Sequence, residues 1–305
     1  MRRHLSSACL LLAAAATASA QAPRVYQWTG EDGVVHYSDH VGDDVQARAK
    51  VAVVPVRVDP GALARLRIDD RDDGHQAWAD NLLAGPIEVL LRAEDGRAPP
   101  SQPALPARAT VAARASTLVA HLGGGSARLR LDAVPGDPRA RPRDVEYAWP
   151  LQTAALRVEQ GWGGGFSHAD AENRYAVDFA TPVGTPVLAA RDGVVMQLET
   201  AFEDGGLDSP DNGARANFVR ILHDDGTMAV YAHLAPGGAG VGLGERVRRG
   251  QRIGTSGNTG FSGGPHLHFV LQANRGMRLE AIPFKMFGPG GILRFTEVEA
   301  AGGVD

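Results

Sequence analysis

The stretch Gly264-Pro265-His266-Leu267-His268-Phe269-Val270-Leu271-Gln272 alternates polar and apolar side chains at its start and then runs apolar. That is the pattern of a β-strand with at least one face in a core. On a strand, residues i and i+2 point to the same side. His266 and His268 therefore project together into one groove, with Leu267 on the opposite face. Two imidazoles on a solvated sheet face would explain the pair equally well if nothing else accompanied it.

Neighbouring segments have the same texture. The β-prone runs 185–190 and 194–198 flank Arg191-Asp192-Gly193, and the runs 217–222 and 228–232 flank Asp224-Asp225-Gly226. Short runs with Gly-containing turns and no long helical periodicity predict a mainly antiparallel β domain over residues 149–290, followed by a tail at 291–305. Upstream, residues 60–148 carry strand candidates at 87–91, 116–120 and 127–131, interrupted by Pro99, Pro100, Pro103 and Pro106. A small β-sandwich is expected there, with a linker bearing β patches as the alternative. Pro135, Pro138 and Pro142 suggest a hinge into the next domain. In residues 23–59, Val25-Tyr26-Gln27-Trp28 and Val34-Val35-His36-Tyr37 surround Asp32-Gly33 and predict a hairpin.

Composition narrows the function class. The chain has 305 residues, 44% hydrophobic and 22% charged, with a formal net charge of −4. That balance gives no support to a nucleic-acid binder, which needs a basic surface to neutralise phosphates. Residues 1–20 read as a signal peptide: Arg2 and Arg3, an apolar run from Ala8 to Ala16, then Ala18-Ser19-Ala20 as cleavage site. Export to the periplasm, the cell envelope or the outside is expected, with no integral membrane segment after cleavage. The single cysteine, Cys9, lies inside that peptide. A metal site in the mature chain must use nitrogen and oxygen donors, which favours a catalytic over a structural zinc.

Other polar residues give the His-x-His pair company. Tyr231-Ala232-His233-Leu234 places a third histidine near the end of a strand, and His168 follows the glycine-rich run 161–165. Asp178 sits in the apolar run Tyr175-Ala176-Val177-Asp178-Phe179-Ala180. A carboxylate buried there needs a metal or a cation, and Arg174 is the ordinary alternative. The order of these motifs resembles the LytM/lysostaphin-type zinc metallopeptidases. It runs His168…Asp178, Pro182-Val183-Gly184-Thr185-Pro186, Arg191-Asp192-Gly193-Val194-Val195, Asn217-x-Val219, Tyr231-Ala232-His233-Leu234, Gly257-Asn258-Thr259-Gly260 and Gly264-Pro265-His266-Leu267-His268-Phe269. The spacing from His168 to Asp178 is longer than the four residues of many members. The pattern Tyr26-x-Trp28…Gly33-Val34-Val35-His36-Tyr37-Ser38-Asp39 resembles a small N-terminal domain of unknown function in envelope proteins.

The resemblance implies zinc held by His168, Asp178 and His268, with His233 and His266 as the catalytic pair beside it. Asn217 orders the site or caps a turn. It also implies peptidoglycan as substrate, through either a D-alanyl–diaminopimelate cross-link or a glycine bridge. The alternative is a catalytically silent module that binds cell wall or activates an amidase. A further reading has the N-terminal regions covering the groove and keeping the enzyme latent. Gly260-Phe261-Ser262-Gly263-Gly264 matches the nucleophile-elbow pattern, but Pro265 and an apolar run follow it, so Ser262 is expected to be a loop residue. The glycines from 254 to 264 lack the Gly-Lys-Ser/Thr ending of a phosphate loop. His223 is expected to be solvated beside its turn, and Trp149 and Trp162 to be packing residues.

Overall fold

The computed structural model describes the backbone of the strands 24–29, 35–38 and 52–55. It also describes residues 62–293 and 295, except 73, 95, 124–127, 154, 156, 165–166 and 207–214. The signal peptide and the end of the C-terminal tail lie outside these residues. The chain forms two compact units, Met1–Pro60 and Gly61–Asp305.

In the first unit, strand Arg24–Thr29 lies between Val35–Ser38 and Ala52–Pro55. Tyr26 pairs with Ser38 and Trp28 with His36, which is the expected hairpin. The third strand was not foreseen; its sequence signal is only the short run Ala52-Val53-Val54-Pro55.

The second unit contains no helix among the described residues, and nearly all its pairings are antiparallel. The main sheet has eight strands. In order across it come Val158–Gln160, Val177–Ala180, His266–Asn274, Met228–Ala232, Phe218–Leu222, Gly193–Glu199 and Arg246–Val247. Leu279–Ala281 pairs with the far end of His266–Asn274. Alternation along these strands divides the sheet into two faces. Leu267, Phe269, Leu271, Phe179, Tyr231, Val219 and Ile221 fill one core. Its other wall is a sheet of Pro186–Leu188, Arg252–Ser256 and Leu234–Ala239. The buried Tyr231 hydroxyl accepts from Ala190 N at 2.7 Å. Trp149 and Trp162 pack as expected, Trp149 edge-on to Phe179 at 4.7 Å and Trp162 to Tyr175 at 5.2 Å.

Residues 62–135 form two sheets. One is Ala64–Arg71, Gly74–Asn81, Ser116–Leu122 and Ser101–Gln102; the other is Leu129–Pro135, Ile87–Ala93 and Ala107–Val111. Ala77, Ala79, Ile87, Val89, Leu91 and Val119 share one apolar cluster between them, the sandwich arrangement expected. That cluster also includes Met196, Met228 and Leu279, so the sandwich shares its core with one end of the main sheet. The expected Pro-rich hinge is instead pinned: Asn274 Nδ2 donates to Gly136 O, Arg141 N to Asp225 O, and Arg275 Nη1 to Ala140 O. Prolines here stop strand pairing without freeing the chain.

Candidate metal centre

Register builds the site. Asp178 lies directly opposite His268, and Ala180 opposite His266, in the antiparallel pair Val177–Ala180 with His266–Asn274. Directly opposed residues have Cβ atoms about 5 Å apart, so carboxylate and imidazole meet on the face away from the core. His268 Nδ1 lies 2.8 Å from Asp178 Oδ1, and His266 Nε2 3.8 Å from the same oxygen. His168 enters from the loop before these strands, fully buried, its Nε2 3.3 Å from Asp178 Oδ1. One donor atom from each of His168, Asp178 and His268 lies within 4.8 Å of the others.

His168 is oriented by its second nitrogen, with Nδ1 2.8 Å from Gly161 O. A carbonyl can only accept, so Nδ1 carries the proton and Nε2 presents a lone pair. That buried Nε2 has no hydrogen-bond partner among the described residues. An unsatisfied buried lone pair beside a carboxylate and a second imidazole suits a divalent cation, and the donor set is the N/O set of an open zinc-type site. Burial alone would raise the Asp178 carboxyl, but the adjacent imidazoles of His168 and His268 outweigh this and hold it far below the usual carboxylate range. Arg174, the alternative partner for Asp178, instead lies over the Tyr175 ring.

His233 reaches the site by breaking a rule. Alternation after Tyr231 and Ala232 would send its side chain into the core. Its backbone instead takes φ of 60°, a left-handed conformation uncommon for non-glycine residues. The ring thereby comes within 4.5 Å of His266 and 5.9 Å of His268, centroid to centroid. Three bonds hold this turn: Leu234 N to Asn217 O, Gly257 N to His233 O, and His233 Nδ1 to Thr259 O at 2.6 Å. Burial, and then the nearby imidazoles of His266 and His268, pull His233 down to about 3, so it is neutral near pH 7. His266 is tied in the same manner, Nδ1 to Gly264 O at 2.8 Å. Both leave Nε2 as the free lone pair.

Asn217 is fully buried and does not touch the donor atoms. Its side chain accepts from Phe202 N and donates to Phe202 O and Ala235 O, bracing the loop that follows His233. Turn tie and site order are here one role. Thr259 was missed as a support: its hydroxyl donates to Leu234 O at 2.7 Å and accepts from Asn217 N at 3.1 Å, while its carbonyl fixes His233. The run Gly257-Asn258-Thr259-Gly260 was the available signal. Ser262 is a loop residue as expected, bonded to Asn258 and Gly264 and 3.3 Å from His266 Nδ1.

His223 requires a correction. It is buried rather than solvated, with Nδ1 2.7 Å from Asp192 O and its ring edge-on to Tyr147 at 5.6 Å. The turn 224–226 that follows packs at Gly226 against Ala140 of the pinned segment.

Comparison with known proteins agrees with the motif order. Residues 172–279 match the model of peptidase family M23, and residues 8–63 match DUF4124, a domain of unknown function. The first match takes in Asp178, His233, His266 and His268 and begins four residues after His168. Peptidoglycan DD-endopeptidase ShyA of Vibrio cholerae serotype O1 is 45% identical over 94 residues, 31% of this chain and 19% of that protein. Glycyl-glycine endopeptidase ALE-1 of Staphylococcus capitis is 39% identical over 103 residues, 33% of this chain and 25% of that protein. The chain therefore spans a quarter or less of these curated relatives. The antimicrobial peptidase lysostaphin from Staphylococcus simulans is 32% identical, with a TM-score of 0.28 over 39% of this chain and 43% of that one. Residues 172–279 are thus a peptidase family M23 domain, and residues 8–63 match DUF4124.

Proposed function

We propose that this chain is an exported zinc endopeptidase that hydrolyses peptide links of bacterial peptidoglycan. The observation that carries the reading is the convergence of His168 Nε2, Asp178 Oδ1 and His268 Nδ1, with two further imidazoles alongside. Three N/O donors would hold the ion, the ligand number of an open site. Zinc, when bound, supplies a Lewis acid that polarises a carbonyl and acidifies water.

The remaining chemistry belongs to the chain. His233 and His266 each have Nδ1 committed to a backbone carbonyl, so each exchanges protons only through Nε2. One takes the proton of the attacking water on its Nε2 lone pair; the other, when its Nε2 also carries a proton, stabilises the developing oxyanion or protonates the leaving amine. Burial keeps His233 uncharged, which suits it to accept a proton or to donate none prematurely. Asp178 stays ionised and sets the charge of the site. The substrate class rests on relatives named as peptidoglycan DD-endopeptidase and glycyl-glycine endopeptidase. Export rests on the sequence of residues 1–20. A silent binding module is disfavoured because all three donors are present and meet.

The test is incubation of the zinc-loaded mature protein with purified peptidoglycan, reading released fragments by mass spectrometry. New peptide ends that disappear with chelator and in His266→Ala are expected. No cleavage by metal-bound protein would overturn the reading in favour of a wall-binding or amidase-activating module. Latency through the N-terminal regions is tested with residues 61–305 rather than 149–305, because the sandwich shares Met196, Met228 and Leu279 with the catalytic sheet. Removing the first unit is expected to raise activity; equal specific activity would dismiss latency.

A further inference from the structure

The sheet face that carries His266 and His268 continues away from them. Along the same strand Val270 and then Gln272 share that side. Across it, Val270 pairs with Val230, and Val230 with Arg220. Arg220 thus lies about 7 Å along the strands and about 10 Å across them from His268, roughly 12 Å in all. It forms the floor of a cleft of about 690 Å³ between this sheet, the loop at Asp170 and Glu172, and the sandwich edge at Val134 and Pro135.

The partners of Arg220 are unusual for a cation in such a place. Its Nε donates to Gln197 Oε1 at 3.1 Å and its Nη1 to Gln272 Oε1 at 2.6 Å, both neutral amides. Among the described residues no carboxylate oxygen comes within the 4.0 Å of an ion pair. Glu172, at the rim of the cleft, acts on it only through space. Gln272 is itself fixed by donating to Glu172 O at 2.8 Å, so the floor is braced to the rim. An oriented guanidinium without a carboxylate is a ready receiver for one, and Arg geometry favours two-pronged contact.

We propose that Arg220 and Glu172 form a subsite for the zwitterionic amino-acid end of a substrate side chain, the carboxylate on Arg220 and the ammonium on Glu172. A diamino-dicarboxylic residue such as diaminopimelate carries this group. Two residues of extended peptide advance about 7 Å, and an extended three-methylene arm adds about 5 Å. A diamino-dicarboxylic residue two places from the cleaved bond, its side-chain ammonium free, therefore spans the roughly 12 Å to the subsite. This rests on the reading of the chain as a peptidoglycan peptidase, and it selects diaminopimelate walls over lysine walls.

The experiment is titration calorimetry of the full mature chain with L-Ala-γ-D-Glu-diaminopimelate and with its L-lysine counterpart, which keeps the ammonium and lacks the carboxylate. The lysine peptide is expected to bind at least about tenfold more weakly, since a site built for a polar group rejects the analogue lacking it. Arg220→Gln is expected to bind both peptides equally weakly. Glu172→Gln is expected to weaken both by a similar few-fold factor, leaving the ratio intact, and it tests the subsite even where Arg220→Gln fails to fold. Equal affinities in the unaltered chain, or a preference surviving in folded Arg220→Gln, would overturn the subsite. Binding is read apart from cleavage. Preference without cleavage upholds the subsite and removes the endopeptidase; cleavage without preference does the reverse.

Discussion

Two buried polar clusters lie in the same domain, and they differ in their counter-charges. Around Tyr147, Arg191 Nη1 meets the Tyr147 hydroxyl at 3.1 Å and Asp225 Oδ2 at 2.9 Å, and Asp225 also accepts from the Thr227 hydroxyl at 2.7 Å. There the buried carboxylate has its own arginine. Among the described residues the Asp178 carboxylate has imidazoles as its ion-pair partners, three of them within 3.8 Å. A histidine Nε2 without a partner occurs in both clusters, on His168 and on His223. An orphaned nitrogen is therefore not what distinguishes a ligand site. An ionised carboxylate left without a permanent cation is, because the charge balance is completed only from outside.

Breaking the open cluster should abolish chemistry and spare the fold. Asp178→Asn is expected to lower peptidoglycan hydrolysis by at least about a hundredfold, with bound metal falling in parallel by elemental analysis. Its metal-free melting temperature should stay near that of the parent. Breaking the closed cluster should do the opposite. Arg191→Met leaves Asp225, with a side chain only 2% exposed, with the long Arg143 contact at 3.9 Å as its one remaining ion pair among the described residues. The expected loss is about 3–5 kcal/mol in denaturant unfolding, with metal content per folded molecule unchanged.

A third test uses pH. Burial first, aided by the positive charge of Arg191 and opposed by the carbonyl of Asp192 and the carboxylates of Asp225 and Asp224, pulls His223 down to about 4. Its folded value lies below its unfolded one, so the unfolded chain takes up the proton first. Its contribution is complete above about pH 6.5 and is lost as pH falls towards 4. His223→Gln should flatten the stability profile over that window by up to about 3 kcal/mol, read by urea titration at several pH values. The smallest effect is expected at Thr259→Val, which removes the hydroxyl that ties Asn217 to Leu234. About 1–3 kcal/mol of stability should go, with a partial loss of activity as the His233 turn loosens.

The strands of the main sheet were legible as short β-prone runs set between Gly-containing turns. Met228–Ala232 was found to the residue, and His266–Asn274 was found short by two. Asp178, His266 and His268 were legible as polar residues interrupting apolar runs, the two histidines by their i, i+2 spacing. His233 was legible as chemistry and not as geometry, for no alternation rule anticipates a left-handed backbone at its position. His223 was misread because its turn looks polar in sequence. Its partners, the carbonyl of Asp192 and the ring of Tyr147, come from distant parts of the chain. The cleft over Arg220 was invisible for a related reason. Its walls come from 133–135, 170–173 and 277–279, which only the folded sheet brings together.

The facing of Asp178 and His268 across the sheet also guards against misassembly. They are 90 positions apart in the chain, and only strand pairing sets them opposite each other. A slip of one residue would turn Phe179 outward and drive the Asp178 carboxylate among Leu267, Phe269 and Tyr231. That error is rejected by the cost of burying an unpaired charge. The greasy side of the sheet thus works as a ruler for the polar side, and a protein folded one notch out of line never lasts long enough to be an inactive one.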